Sequence, residues 1–233
     1  MARIAFPPRY QTTMQQPYEE AIAARLHDGM TIIDIGAGRH PTLAAAARPP
    51  GATYVGLDIS RSEMNAAGPG AYDEMFAADI TSRVTALVER ADLAVSWQVF
   101  EHVKPLDAAL DNIHAYLRPG GTLISTFSGK WSAFGILNQL IPNAIGHRVV
   151  ERVMNRRELD LPVFPAFYHR CSARQVRKMT AGWQSVEIVP HYRAANYFNF
   201  STVLTRMYLW YEDRAHARDA ANLATHYLLI ARK

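Results

Sequence analysis

The stretch Met30-Thr31-Ile32-Ile33-Asp34-Ile35-Gly36-Ala37-Gly38 decides how the rest of the chain is read. Ile32, Ile33 and Ile35 make a nearly continuous β-branched run, the pattern of a strand buried on both faces of a parallel sheet. Gly36 and Gly38 then permit a tight turn and let a ligand approach the backbone. Twenty residues beyond Gly38, the apolar run 53–59 carries Asp58 near its end. A glycine turn followed by an acid at that distance is the layout of a nucleoside-binding βαβ unit, with the acid on the ribose hydroxyls.

Working outward, strands and helices alternate on both sides of this stretch. Upstream, residues 1–16 read as an irregular arm, and 17–28 as a helix with Tyr18, Ile22 and Leu26 at four-residue spacing. Downstream, residues 41–48 predict an alanine-rich helix stopped by Pro49-Pro50. Ser60 caps a short helix, and 74–80 form a third strand ending in Asp79. Thr81 opens a helix with Val84, Leu87 and Val88 on one face. Residues 92–99 are a fourth strand, followed by Phe100-Glu101-His102-Val103. A helix over 105–117 and a fifth strand over 122–127 complete the regular part. This alternation predicts a doubly wound, mostly parallel sheet, with its ligand at the carboxyl ends of the strands.

Two insertions break the rhythm. Residues 129–168 hold two apolar helical segments, around 131–141 and 144–154, and an aromatic, proline-punctuated stretch; leaving a carboxyl-end loop, this block is expected to cover the ligand as a lid. A helix over 172–180 and a strand over 183–189 follow. The second insertion, 193–222, carries a helix with Phe200, Val203, Leu204, Met207, Tyr208 and Tyr211 on one face. A last strand over 225–231 brings the sheet to seven. The chain reads as one domain, 1–233, with residues 1–29 as N-terminal arm and helix.

Composition narrows the class of protein. Of 233 residues, 49% are hydrophobic and 20% charged, which is ordinary for a globular domain with a full core. No apolar run is long enough to span a bilayer. The single cysteine, Cys171, excludes an internal disulfide, and a cytoplasmic protein is expected. The net charge of +4 does not gather into one patch: Arg148, Arg152, Arg156 and Arg157 alternate with Glu151 and Glu158. A nucleic-acid partner is therefore not expected.

Five motifs in order resemble those of the class I S-adenosylmethionine-dependent methyltransferases, in particular small bacterial enzymes with a Glu-His pair after strand four. They are residues 33–38, Val55-Gly56-Leu57-Asp58-Ile59-Ser60, Ala78-Asp79-Ile80, Val95 through Val103, and Leu117 through Leu123. One departure is that His40, expected to face solvent rather than contact the cofactor's methionine end, stands where the family has a third glycine. Pro41 follows it, which also disfavours a dinucleotide. The resemblance implies the Rossmann-like methyltransferase fold and S-adenosyl-L-methionine as cofactor. Gly36 and Gly38 would approach its methionine part, and Asp34 would accept from its ammonium directly or through water. Asp58 would take the ribose hydroxyls and Ile59 one face of adenine. Asp79 and Ile80 would meet the adenine edge, and Ser96, Trp97 and Gln98 the donor-methyl end. Tyr10, on the arm, would close over the cofactor.

For transfer to a hydroxyl, His102 is the candidate base, Glu101 its candidate orienting partner, and His169 a second histidine brought in behind the lid. A related small-RNA 2′-O-methyltransferase pattern, with a Glu-x-x-Glu-His run and a later histidine holding a metal, is the alternative. Here its first glutamate is Gln98, so no metal is expected. A non-catalytic binding protein on the same fold is the other reading, for which the glycines and Asp58 would be unnecessary. The lid residues Trp131, Phe134, Leu137, Ile141, Phe164, Phe167 and Tyr168 suit a small hydrophobic or aromatic acceptor. The second insertion could cover that acceptor, form a dimer contact or rest on a membrane. Its flanking Arg206, Glu212, Asp213 and Arg214 are mixed in sign, which weighs against anionic lipid. A monomer or homodimer with a lid or dimer contact there is favoured.

Overall fold

A computed structural model describes residues 4–140 and 165–233. The second lid helix, Ile141, Phe164 and the arginine cluster at 148–157 lie outside the described residues. One seven-stranded sheet forms the centre, in the order β3-β2-β1-β4-β5-β7-β6. Its strands are β1 (Thr31–Ile35), β2 (Thr53–Asp58), β3 (Glu74–Ala77), β4 (Ala91–Trp97), β5 (Leu117–Ser128), β6 (Ser185–His191) and β7 (His226–Arg232). β1 pairs in parallel with β2 and β4, while β7 runs antiparallel to both of its neighbours, β5 and β6. The expected mostly parallel sheet is thus present, mixed only at β7.

Helices cover both faces. On one, α1 (Gln15–Ala23) and α2 (Arg61–Ala66) bring Tyr18, Ile22 and Met64 against Ile32, Tyr54, Leu93 and Val95. On the other, α3 (Leu106–Tyr116) packs Leu106, Leu110 and Ile113 against Ile33, Ile35 and Leu123. The first insertion begins with α4 (Ala133–Leu140), and α5 (Ala173–Met179) leads into β6. The second insertion is built around α6 (Thr202–Ala217). Among the described residues, no helix is long and apolar enough to cross a membrane.

Two expected helices shrink to single turns. Between β1 and β2 the alanine run keeps only a 3-10 turn, Ala45–Ala47. Thr42 is fastened to Asp34 through its amide and hydroxyl. Pro49 also holds Arg48 extended, with ψ 141°. Too few residues remain free between them to nucleate an α-helix. After β3, only Thr85–Leu87 is helical. The Val84 amide donates to the Tyr116 hydroxyl at 2.8 Å, which holds Val84 extended.

The apolar face read from sequence along α6 is split, with Tyr208 inside and its aliphatic residues outside. The buried positions are Thr205, Tyr208, Leu209, Glu212 and Ala215, whereas Val203, Leu204 and Met207 face out. The arm explains this. Tyr10 donates its hydroxyl to the Glu212 carboxylate, which also accepts the Ala194 amide at 2.6 Å. Arg9 pairs with Asp213 at 2.7 Å. Satisfying a fully buried carboxylate outweighs turning more apolar area inward.

Candidate active site

The sheet order reverses between β1 and β4, and the crevice opens at their carboxyl ends, where a doubly wound sheet takes its ligand. A cavity of about 560 Å³ lies there, walled by Gly36, Asp58, Ile59, Asp79, Ile80, Trp97, Gln98 and His102 among others. Eight residues expected at the site, drawn from four separate motifs, therefore meet on one surface.

The turn after β1 has a specific geometry. Gly36 has φ 70°, and a Cβ there would overlap the Val99 side chain. A larger residue would therefore close the crevice between β1 and β4. The Tyr72 hydroxyl braces the same turn by donating to the carbonyls of Ala37 and Gly38, at 2.8 and 3.1 Å. Gly56 makes room for the Tyr72 ring, because a Cβ would come within 2.8 Å of it. Tyr72 has no local signature, so sequence reading missed it. Val99, lying in a quoted motif, was passed over as strand filler.

Asp58 ends β2 with each oxygen holding one backbone donor, the Gly38 amide at 3.0 Å and the Ser60 amide at 2.7 Å. The second lone pair of each oxygen remains for a ligand. Burial pushes its carboxyl upward, and the backbone donors oppose that shift. A diol supplies the two donors such a carboxylate lacks. Ile59 is 63% exposed and stands beside it, a flat apolar contact for a purine. Asp79 accepts from the Thr81 amide and hydroxyl, both at 2.8 Å, and also lines the cavity, so the turn orients a ligand-facing acid. A nucleoside-sized cofactor fits this set.

Gln98, on the cavity wall, has a strained backbone, with φ 55° in a residue other than glycine. The strain is held by its amide donating to the Thr126 carbonyl at 2.9 Å and by its side chain meeting the Ser128 hydroxyl at 2.9 Å. Strand alternation turns Trp97 into the cavity and Ser96 into the sheet, so Ser96 is a core residue and not a wall.

Three other expected contacts are also displaced. Asp34 is buried behind the turn and accepts from the Thr42 amide, the Thr42 hydroxyl and the Tyr54 hydroxyl, at 2.7, 2.8 and 2.6 Å. Burial raises its carboxyl to about 6. Its oxygens are committed to the fold rather than turned toward an ammonium. Tyr10 lies on α6, against Glu212 and the Ala195 amide. His169 accepts the Leu106 amide at 3.2 Å on Nδ1, capping an otherwise unpaired N–H at the start of α3.

Glu101 and His102 part company. Glu101 is buried, and its Oε1 takes the Ser128 hydroxyl at 2.8 Å, while its carbonyl takes the Phe167 and Tyr168 amides at 2.8 and 2.9 Å. It ties the end of β5 to the returning end of the first insertion rather than orienting His102. His102 lies on the cavity wall with Nδ1 3.1 Å from the Pro165 carbonyl. A carbonyl can only accept, so Nδ1 carries the proton and, in the neutral ring, Nε2 holds a free lone pair. Among the described residues, Glu101, His102 and His169 do not converge as a metal-ligand set.

The fold and this crevice define a doubly wound nucleoside-binding protein. Residues 9–186 match the methyltransferase domain family, more than half of the chain, and the protein belongs to it, in the class I S-adenosylmethionine-dependent group. A curated relative, the ubiquinone biosynthesis O-methyltransferase of Brucella melitensis, is 28% identical over 119 residues, covering 49% of this chain and 48% of its own. The chain thus spans about half the length of the curated relatives it matches. Among solved structures, an S-adenosylmethionine-dependent methyltransferase from Archaeoglobus fulgidus superposes with a TM-score of 0.59 at 15% identity, over 97% of this chain and 94% of that one. Phosphoethanolamine N-methyltransferase 2 of Haemonchus contortus, in complex with S-adenosyl-L-methionine, gives 0.56 at 14% identity, over 94% and 52%. At such identities the likeness establishes the fold.

Proposed function

We propose that this protein methylates a hydroxyl oxygen of a small apolar or aromatic acceptor, using S-adenosylmethionine, with His102 as the base. The observation that carries the reading is the His102 ring, fixed through Nδ1 on the Pro165 carbonyl with Nε2 free on the wall of the cofactor cavity. Bound there, S-adenosylmethionine supplies an electrophilic methyl group on a positively charged sulfur. Asp58 would hold the ribose hydroxyls, Ile59 the adenine face, and the Gly36 turn and Gln98 the methionine end.

A hydroxyl is a poor nucleophile until its proton is removed, so the base must reach it within hydrogen-bond distance. His102 Nε2 takes that proton as the oxygen attacks, and the Pro165 carbonyl supports the imidazolium that results. Phe167, beside the same cavity, keeps water out and offers an apolar surface to the acceptor. The O-methyltransferase activity in the name of the Brucella relative supports oxygen as the acceptor atom.

The test is incubation with cofactor and a panel of phenols, catechols and quinols, read by mass spectrometry for the gain of one methylene. His102→Ala should bind S-adenosylhomocysteine as the parent does and lose about a hundredfold to ten-thousandfold in turnover. Turnover equal to the parent's would remove His102 from the chemistry.

A further inference from the structure

We infer that the outward face of α6, together with the start of the lid, docks on an anionic membrane surface. Val203, Met207 and Trp210 follow one another at helical spacing on that face and are 67%, 63% and 59% exposed. Phe200 extends the stripe ahead of the helix, and Trp131 adds a second exposed indole. Between the helix and Ala133, at the start of α4, runs an apolar cleft of about 590 Å³. A contiguous apolar area of this kind on a globular domain marks an interaction surface.

The charges around it identify the partner. The acidic residues of α6 are both engaged: Glu212 is buried on Tyr10, and Asp213, though exposed, is paired with Arg9. Arg206 lines the cleft, and the Arg214 guanidinium lies over the Trp210 ring at 4.2 Å. Lys130 sits over Trp131 at 4.9 Å. Large apolar side chains beside indoles that carry cations suit the boundary between lipid tails and anionic headgroups. A second copy of the chain suits this face less well. A two-fold contact would set the patch against itself and bring arginine to arginine.

The position in the fold agrees. β5 and β6 both run antiparallel to β7, so they point the same way. The lid leaves after β5 and the α6 insertion after β6, at the edge where Gly36 and Asp58 open the cavity. Docking through α6 therefore brings that edge of the sheet toward the bilayer.

The experiment is co-sedimentation of the full chain with vesicles of phosphatidylcholine alone, or with about a third phosphatidylglycerol, at low and physiological salt. Binding to the anionic vesicles that weakens with salt is expected. Met207→Glu with Trp210→Glu should lower the partition coefficient at least about tenfold. Arg206→Gln with Arg214→Gln should remove most of the preference for anionic lipid. Both pairs are exposed, and an unchanged unfolding midpoint establishes that each variant is folded. No sedimentation with either vesicle, or equal partition of parent and Glu variant, would overturn the inference. So would a parent that is dimeric by ultracentrifugation, fails to bind vesicles and becomes monomeric in the Glu variant, which would give the face to a second copy.

Discussion

Gly36→Ala is the sharpest single change in the turn that shapes the site. The residue sits at φ 70°, and an added Cβ would overlap one Val99 methyl and lie 3.1 Å from the other. The left-handed backbone costs an L-residue about 1–2 kcal/mol. Forcing a methyl into a packed contact costs about 1–3 kcal/mol more. The sum, about 2–5 kcal/mol, is a large part of an ordinary domain's stability. Val99 cannot yield freely, because its carbonyl accepts the His102 amide at 2.9 Å, so relief would shift the cavity wall that carries His102. Urea unfolding should show the loss, and calorimetry should show S-adenosylhomocysteine binding weakened more than about tenfold, or 1.4 kcal/mol. In a double-mutant cycle with Val99→Ala, the packing part should return as a coupling of about 1–3 kcal/mol while the backbone cost remains. A variant that matches the parent in both assays, or a cycle that is strictly additive, would refute the account of the turn.

Asp34 sets a pH dependence with a definite sign. Its carboxyl moves from an ordinary 3.8 to about 6 on folding, so the folded state holds the proton more tightly. Stability from this group is present at low pH and is lost as pH rises from about 4 to 6, by about 3 kcal/mol. The difference in urea stability between the parent and Asp34→Asn should change over that window; a constant difference would refute the assignment. For the arm, Tyr10→Phe should cost about 1–3 kcal/mol by stripping the Glu212 carboxylate and the Ala195 amide of a partner. Its cofactor affinity should stay within about twofold of the parent's, or 0.4 kcal/mol. A tenfold loss would return Tyr10 to the cofactor site.

What could be read from the sequence was whatever local periodicity carries. The strands, α3 and the Ser60 cap on α2 were all legible, because each is set by neighbours within a few residues. The helices at 41–48 and after Thr81 misled for the opposite reason. Alanine propensity and the Val84–Leu87–Val88 spacing were real, but the contacts that decide are Thr42 on Asp34 and the Val84 amide on Tyr116, the latter 32 residues away. In the site, residues that line the crevice at strand ends were legible, since alternation and motif order place them. Asp34, His169 and Glu101 were misplaced because each has a stronger partner elsewhere in the fold, and Ser96 because strand alternation turns it into the sheet.

The insertion shows how such a partner changes a functional argument. In the sequence, Arg206, Glu212, Asp213 and Arg214 are a mixed set, and a mixed set is weakly drawn to lipid. That inference treats all four charges as facing the same solvent. Glu212 instead lies inside, held by an arm 202 residues earlier in the chain, and Arg9 from that arm neutralises Asp213. Subtracting the two acids leaves two arginines beside Val203, Met207 and Trp210. The long-range contact that fixes which face of α6 is buried therefore also fixes the sign of the face that is left out.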